Sequence, residues 1–207
     1  HVVCCAALCV PLPPALDPAL GASVSTAFLT AIYGLQTLAQ LLPGDTVLIH
    51  AAAGGVGQAA LQVARRCGAR VFATASAAKQ AGLLQQGVEA VFDSRSLDFA
   101  EQVLAVTGGR GVDVVLNSLK GDWVEASFAA LADGGRFVEL GKIEIWSREE
   151  ALRRRPDSSY LPFDLLEVAA ADPGLVRGLL LELLADLEAG RYSPIALEAF
   201  PIERGVE

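Results

Sequence analysis

The stretch from residue 46 to 66, "TVLIHAAAGGVGQAALQVARR", constrains the fold more than any other part of the chain. A short, continuously apolar β-type run at 46–50 passes through a glycine turn into an amphipathic helical pattern at about 56–66, which opens a βαβ unit. The alternation then repeats. Residues 70–74 read as the second strand, 77–86 as a helix and 90–92 as the third strand. Residues 97–106, 112–116, 123–131 and 136–140 follow as helix, strand, helix, strand. Five strands that are apolar on both faces and alternate with helices predict a parallel sheet covered on both sides, a doubly wound α/β domain. Ahead of this unit, 23–42 predicts a helix ended by Pro43 and Gly44. Beyond it, "WSREEALRRRPDSSYLPFDLL" breaks the rhythm, so the region 143–166 is expected to lie outside the sheet. Residues 175–188 return as a helix, and 195–200 form a last short β-type run.

Composition narrows the function classes. With 207 residues, 53% of them hydrophobic, the chain has enough apolar surface for one sizeable core. A net charge of -8 argues against a nucleic acid or an anionic membrane as partner. The span from Pro18 to Gly44 carries no charge and is long enough to raise the question of a membrane crossing. Ser23, Ser25, Thr26, Thr30 and Gln36 interrupt it, and the reading adopted is the buried helix of a soluble α/β domain. Cys4, Cys5, Cys9 and Cys67 form neither a CxxC pair nor a Cys/His set with zinc spacing. They are expected to be reduced, mostly buried thiols of a cytoplasmic protein without a metal site. The chain starts at His1, contains no methionine and lacks a secretory signal, so a piece of a longer polypeptide is expected.

The glycines carry the first functional signal. In "AAGGVG" the spacing of the dinucleotide fingerprint is met by Ala52, Gly54 and Gly57, with alanine in the first glycine's place. Gly54 would let the backbone approach a pyrophosphate, Gly57 would let the helix pack closely on the strand, and the helix N-terminus would offer amides to the phosphates. An enzyme that prefers NAD carries Asp or Glu about 20 residues further on. Here Ser76 stands nineteen residues after Gly57, no carboxylate occurs between Asp45 and Glu89, and Lys79 follows. A hydroxyl and a cation suit a 2′-phosphate, which favours NADPH; a solvated helical lysine is the alternative. His50 reads as a packed or hydrogen-bonded histidine. Arg153, Arg154 and Arg155 read as a solvated helix face, with contact to an acidic partner as the alternative.

Four segments in order, "VLIHAAAGGVGQAALQVAR", "SRSLDFAEQV", "TGGRGVDVVLNSL" and "GGRFVELGK", resemble the enoyl reductase domains of modular polyketide synthases and animal fatty acid synthase. These form a zinc-independent, quinone-oxidoreductase-like branch of the medium-chain dehydrogenases. The resemblance implies a Rossmann-like NADPH-binding domain over residues 23–196 with an active-site loop at 142–166. Residues 1–22 would connect from a substrate domain that is largely missing, and 197–207 would begin the return to it. It implies nucleotide contacts at Thr30, at the turn Ala53, Gly54, Gly55 and Val56, and at Ser76, Lys79, Ser94, Asn117, Leu140 and Gly141. It also implies reduction of the double bond of an enoyl thioester carried on acyl carrier protein, among neighbouring synthase domains. Lys142 and Asp164 match the family's candidates for stabilising the enolate and steering its protonation. In many polyketide relatives a tyrosine from the missing segment shares that proton transfer. Two other readings stay open: a free-standing NADPH quinone or enone reductase, and a non-catalytic dinucleotide-binding module.

Overall fold

The computed structural model describes residues 4–14, 16–143, 145–201 and 204. Six strands form one parallel sheet in the order β3-β2-β1-β4-β5-β6. They are β1 (Thr46–Ile49), β2 (Arg70–Ala75), β3 (Ala90–Asp93), β4 (Val112–Asn117), β5 (Leu131–Glu139) and β6 (Ser159–Pro162). The strand order reverses between β1 and β4, so two crossover directions lay helices on opposite faces. One face carries α1 (Pro18–Ile32), α2 (Gly55–Arg66), α3 (Ala77–Gln85), α7 (Leu165–Ala171) and α8 (Pro173–Glu188). The other carries α4 (Phe99–Val106), α5 (Asp122–Ala129) and α6 (Arg148–Arg154).

The reason the strands read as unbroken apolar runs is visible in the core. Val47, Ile49, Val71, Ala73, Val114 and Leu116 point into the first layer, while Leu48, Phe72, Val112, Val115 and Phe137 point into the second. Alternate side chains thus serve two cores, and the few buried polar residues of the strands, Thr46, Thr74, Asn117 and Glu139, stand at or near strand ends. Full burial of one of these leucines contributes about 1.5–3 kcal/mol. In α2 the buried stripe is Ala59, Ala60, Leu61, Val63 and Ala64, mostly small residues that let the helix lie close to the sheet.

The uncharged helix begins earlier than its sequence suggested. Asp17 caps it by accepting a hydrogen bond from the Ala19 N–H at 2.8 Å, with Pro18 at the first helical position. It runs on as a π-helix over Tyr33–Leu38. By length and composition it could cross a membrane. Here it packs on the sheet, with Phe28, Ala31 and Leu35 fully buried.

Four expectations need correction. The region 143–166 does not lie wholly outside the sheet, because "SYLP" adds β6 at its edge beside β5. Residues 195–200 form no strand. Leu165–Ala171 is a further helix, capped by Asp164. The thiols are not mostly buried: Cys4, Cys5 and Cys9 are exposed and Cys67 is half-buried. Residues 1–3 and 15 of the expected connecting segment, Glu144 of the expected active-site loop, and 202, 203 and 205–207 of the expected return segment lie outside the described residues.

Candidate functional site

The turn after β1 is built by close approach. A Cβ on Gly57 would fall 2.5 Å from Ala52 Cα and 2.6 Å from the Ala51 carbonyl oxygen, so only glycine lets α2 start this near the strand. Gly54 caps α2 in an extended conformation without a side-chain hydrogen bond, leaving the first amides of the helix for a ligand. Ala51 takes a left-handed conformation, φ +49°, which a residue with a Cβ adopts rarely.

Two cavities meet at Ala51 and Gly54, across the carboxyl ends of the strands. The larger, about 550 Å³, reaches from this turn to Thr30 on α1, Leu140 after β5, and Lys142 and Asp164. The smaller, about 370 Å³, extends the other way to Ser76, Lys79, Ser94 and Arg95, and no carboxylate lines it. Together they form one cleft over the point where the strand order reverses, the place where doubly wound sheets bind dinucleotides.

Most of the residues singled out in the sequence line this cleft. Thr30, Gly54, Val56, Gly57, Leu140, Lys142 and Asp164 border the larger cavity, and Ala53, Gly54, Ser76, Lys79 and Ser94 the smaller. Three do not. Gly55 opens α2 with nothing within 4 Å of where its Cβ would be. Asn117 is fully buried. Its amide donates to Leu119 O at 2.9 Å and to Glu139 Oε2 at 2.8 Å. Gly141 stands behind the cleft wall, its N–H donating to Glu139 Oε1 at 2.6 Å.

Lys142 Nζ lies 2.6 Å from Asp164 Oδ2. The other carboxylate oxygen of Asp164 accepts the Leu166 N–H at 2.9 Å, which caps α7. These two donors, the lysine first, hold the Asp164 carboxyl below its ordinary pKa. The lysine side chain is 61% exposed, so the pair contributes little to stability. It places a solvated ammonium at the cavity mouth, a donor suited to negative charge developing on an oxygen.

Several lining residues escaped the sequence reading, among them Arg95, Thr26, Ser118 and Ala51. The signal for Arg95 was its place directly after the third strand, in "DSRS". His50 is spent inside the fold. Ser127 Oγ gives its proton to Trp123 O at 2.6 Å, so it accepts from His50 Nε2 at 2.8 Å, and Nδ1 accepts from Thr74 Oγ1 at 3.0 Å. Burial pushes this imidazole down to about 3. In the arginine run, Arg154 pairs with Glu125 and Glu150, and Arg155 with Asp133 and Asp157. Only Arg153 fits the plain solvated face.

A doubly wound sheet with a glycine turn and a cleft at its switch point is the architecture of a dinucleotide-binding domain. A family model described as "Zinc-binding dehydrogenase" matches residues 55–156. The chain is 48% identical over 182 residues to a mycocerosic acid synthase-like polyketide synthase of Mycobacterium tuberculosis, covering 86% of this chain and 9% of the synthase. It superposes on the CurK enoyl reductase with a TM-score of 0.89 at 48% identity, covering 93% of this chain and 58% of that one. The nucleotide-binding subdomain of the enoylreductase domain of PpsC from M. tuberculosis matches with a TM-score of 0.76 at 42% identity, over 83% of this chain and 98% of that one. The chain belongs to the enoyl reductase domains of polyketide synthases. Among the described residues no group of three or more His, Cys, Asp or Glu side chains gathers at metal-binding range, so the donor set does not fit the zinc that the family model's description names.

Proposed function

We propose that the chain is the NADPH-binding part of an enoyl reductase acting on an enoyl thioester carried by an acyl carrier protein within a polyketide synthase. Residues 23–196 form that part, 1–22 lead in from a separate substrate-binding part, and 197–207 begin the return to it. The observation that carries the reading is the single cleft with the glycine turn at its centre, a carboxylate-free basic end, and the Lys142–Asp164 pair at the other end.

At the basic end, Ser76 and Ser94 would donate hydroxyl hydrogen bonds to a 2′-phosphate while Lys79 and Arg95 supply charge. The α2 amides behind Gly54 would hold the pyrophosphate. When bound, the reduced nicotinamide supplies the hydride taken up at the β-carbon of the thioester. Lys142 would stabilise charge as it develops on the thioester oxygen, and Asp164 would keep the ammonium aimed. Protonation at the α-carbon is then steered from the same side of the cleft, shared with any tyrosine that the rest of the protein provides.

The test is turnover by the full-length protein with NADPH and a crotonyl thioester, beside a simple quinone. The thioester is expected to be the far better substrate. Lys142→Ala should lower turnover by roughly 10²–10³-fold, about 2.7–4 kcal/mol, with NADPH affinity unchanged. Asp164→Asn should do less harm, since the amide keeps one acceptor oxygen that can orient the lysine, at the cost of the α7 cap. Preference for the quinone, or an unchanged rate in Lys142→Ala, would contradict the reading.

A further inference from the structure

We infer that Glu139 is a positioning residue for the Lys142–Asp164 pair, holding the chain just before both partners through hydrogen bonds at the end of β5. Its side chain is fully buried, yet it ends a strand where packing alone would be served by an apolar residue. Oε1 accepts the N–H of Gly141, the residue before Lys142, at 2.6 Å. The backbone carbonyl of Glu139 accepts the N–H of Phe163, the residue before Asp164, at 3.2 Å. Oε2 accepts from Asn117 Nδ2 at 2.8 Å, which anchors the carboxylate to the end of β4. Asn117 in turn accepts the Leu119 N–H at 3.2 Å on its side chain and the Leu140 N–H at 2.8 Å on its backbone carbonyl. The buried carboxylate therefore joins the exits of β4 and β5, and the backbone carbonyl of the same residue ties them to the exit of β6.

The neighbouring glycine belongs to the same device. A Cβ on Gly141 would sit 2.8 Å from Glu139 Oε1 and 3.1 Å from Ile145 Cγ2, so only glycine lets the amide reach the carboxylate. Burial pushes the Glu139 carboxyl above its ordinary range, and the donors from Gly141, Asn117 and Leu140 oppose that shift. Every group facing its oxygens is a donor, an arrangement that matches a carboxylate and mismatches an amide. The sequence Glu139, Leu140, Gly141, Lys142 thus reads as a buried anchor, a cleft wall, a close approach and a donor.

The inference rests on the reductase reading, and its test separates the two. In the full-length protein, Glu139→Gln keeps the shape but turns one acceptor into a donor against Asn117 or Gly141. Hydride transfer to a crotonyl thioester is expected to slow tenfold or more, with the NADPH Kd within threefold of the parent. Exchange of the backbone amides in the peptide covering 140–145, followed by mass spectrometry, is expected to quicken at least tenfold. Asn117→Asp combined with Glu139→Gln restores a donor–acceptor match across the strands while leaving Leu119 O without its donor, and is expected to recover part of the lost rate and of the protection. An unchanged exchange rate in Glu139→Gln would overturn the inference, whether or not the parent reduces the thioester. So would a loss of rate that tracks a loss of NADPH affinity and is not relieved in the double variant. A parent that fails to reduce the thioester while the exchange results hold would sink the reductase reading alone.

Discussion

His50 illustrates how a single side chain divides between chemistry and structure. It ends the first strand and its position touches the larger cavity, but Thr74 and Ser127 occupy both ring nitrogens. The folded protein keeps it neutral until about pH 3, because burial opposes the charged form. The unfolded chain protonates it near pH 6.5. Its contribution to stability is therefore full above pH 6.5 and is lost as pH falls from there towards 3, at about 1.4 kcal/mol per unit. Between pH 6.5 and 5 this amounts to roughly 2 kcal/mol. Urea unfolding at pH 7.5 and 5.0 should show that loss in the parent and not in His50→Gln; equal losses would mean the histidine protonates within the fold. Lys79 and Arg95 belong to the same scale. Each should be worth about 1.5–3 kcal/mol to NADPH binding as a charge-assisted contact, and nothing to NADH. Gly54, Gly57, Ser76 and Lys79 were legible because each occupies a fixed offset from a strand end. Arg95 was not, since its place after the third strand brings it near the cleft without telling a cleft-facing arginine from a solvated one.

At the level of elements, legibility followed length and periodicity. α2 and the first two strands were read within a residue or two, because glycine spacing, apolar runs and the amphipathic stripe agree with one another. β6 was missed for physical reasons. It is four residues long, lies at the sheet edge, mixes Ser159 with Tyr160, and ends in Pro162, which an edge strand tolerates and an interior one does not. The opposite error, a strand at 195–200, came from an apolar run with no neighbouring strand to pair with. The entry to α2 supports a sharp contrast between two glycines. Gly57→Ala drives a methyl into the backbone of Ala51 and Ala52, an overpacking that typically costs 1–3 kcal/mol and here leaves no side chain to yield. Gly55→Ala meets open space at a helical position, where alanine is favoured by up to about 1 kcal/mol. Thermal unfolding should show the first variant well below the parent and the second level with it or above. A tolerated Gly57→Ala would mean that α2 does not depend on this close approach.

For the molecule as a whole, the sheet turns six strand ends into one platform, and the cleft draws its walls from all of them. The sequence foretold the platform and its basic end. It did not foretell the ties beneath, such as Glu139 to Asn117, which join residues 22 apart in the chain and become visible only when β4 and β5 lie side by side. Ile143, Ile145 and Leu166, close in sequence to Lys142 and Asp164, are exposed. The chain spans 58% of the CurK enoyl reductase chain, so turnover is to be sought in the full-length protein, whereas cofactor recognition is to be sought in the cleft described above. Saturating NADPH at 100 times its Kd should stabilise the fold by about 2.7 kcal/mol, a shift that heating with and without cofactor would reveal. The most direct test is calorimetric titration of the 207-residue chain with NADPH and, separately, NADH, repeated in Lys79→Ala and Arg95→Ala. NADPH is expected to bind at least tenfold more tightly than NADH, with each variant losing most of that margin and keeping its NADH affinity. No binding of either nucleotide, or equal affinities that the two variants leave unchanged, would contradict the assignment of this cleft to NADPH.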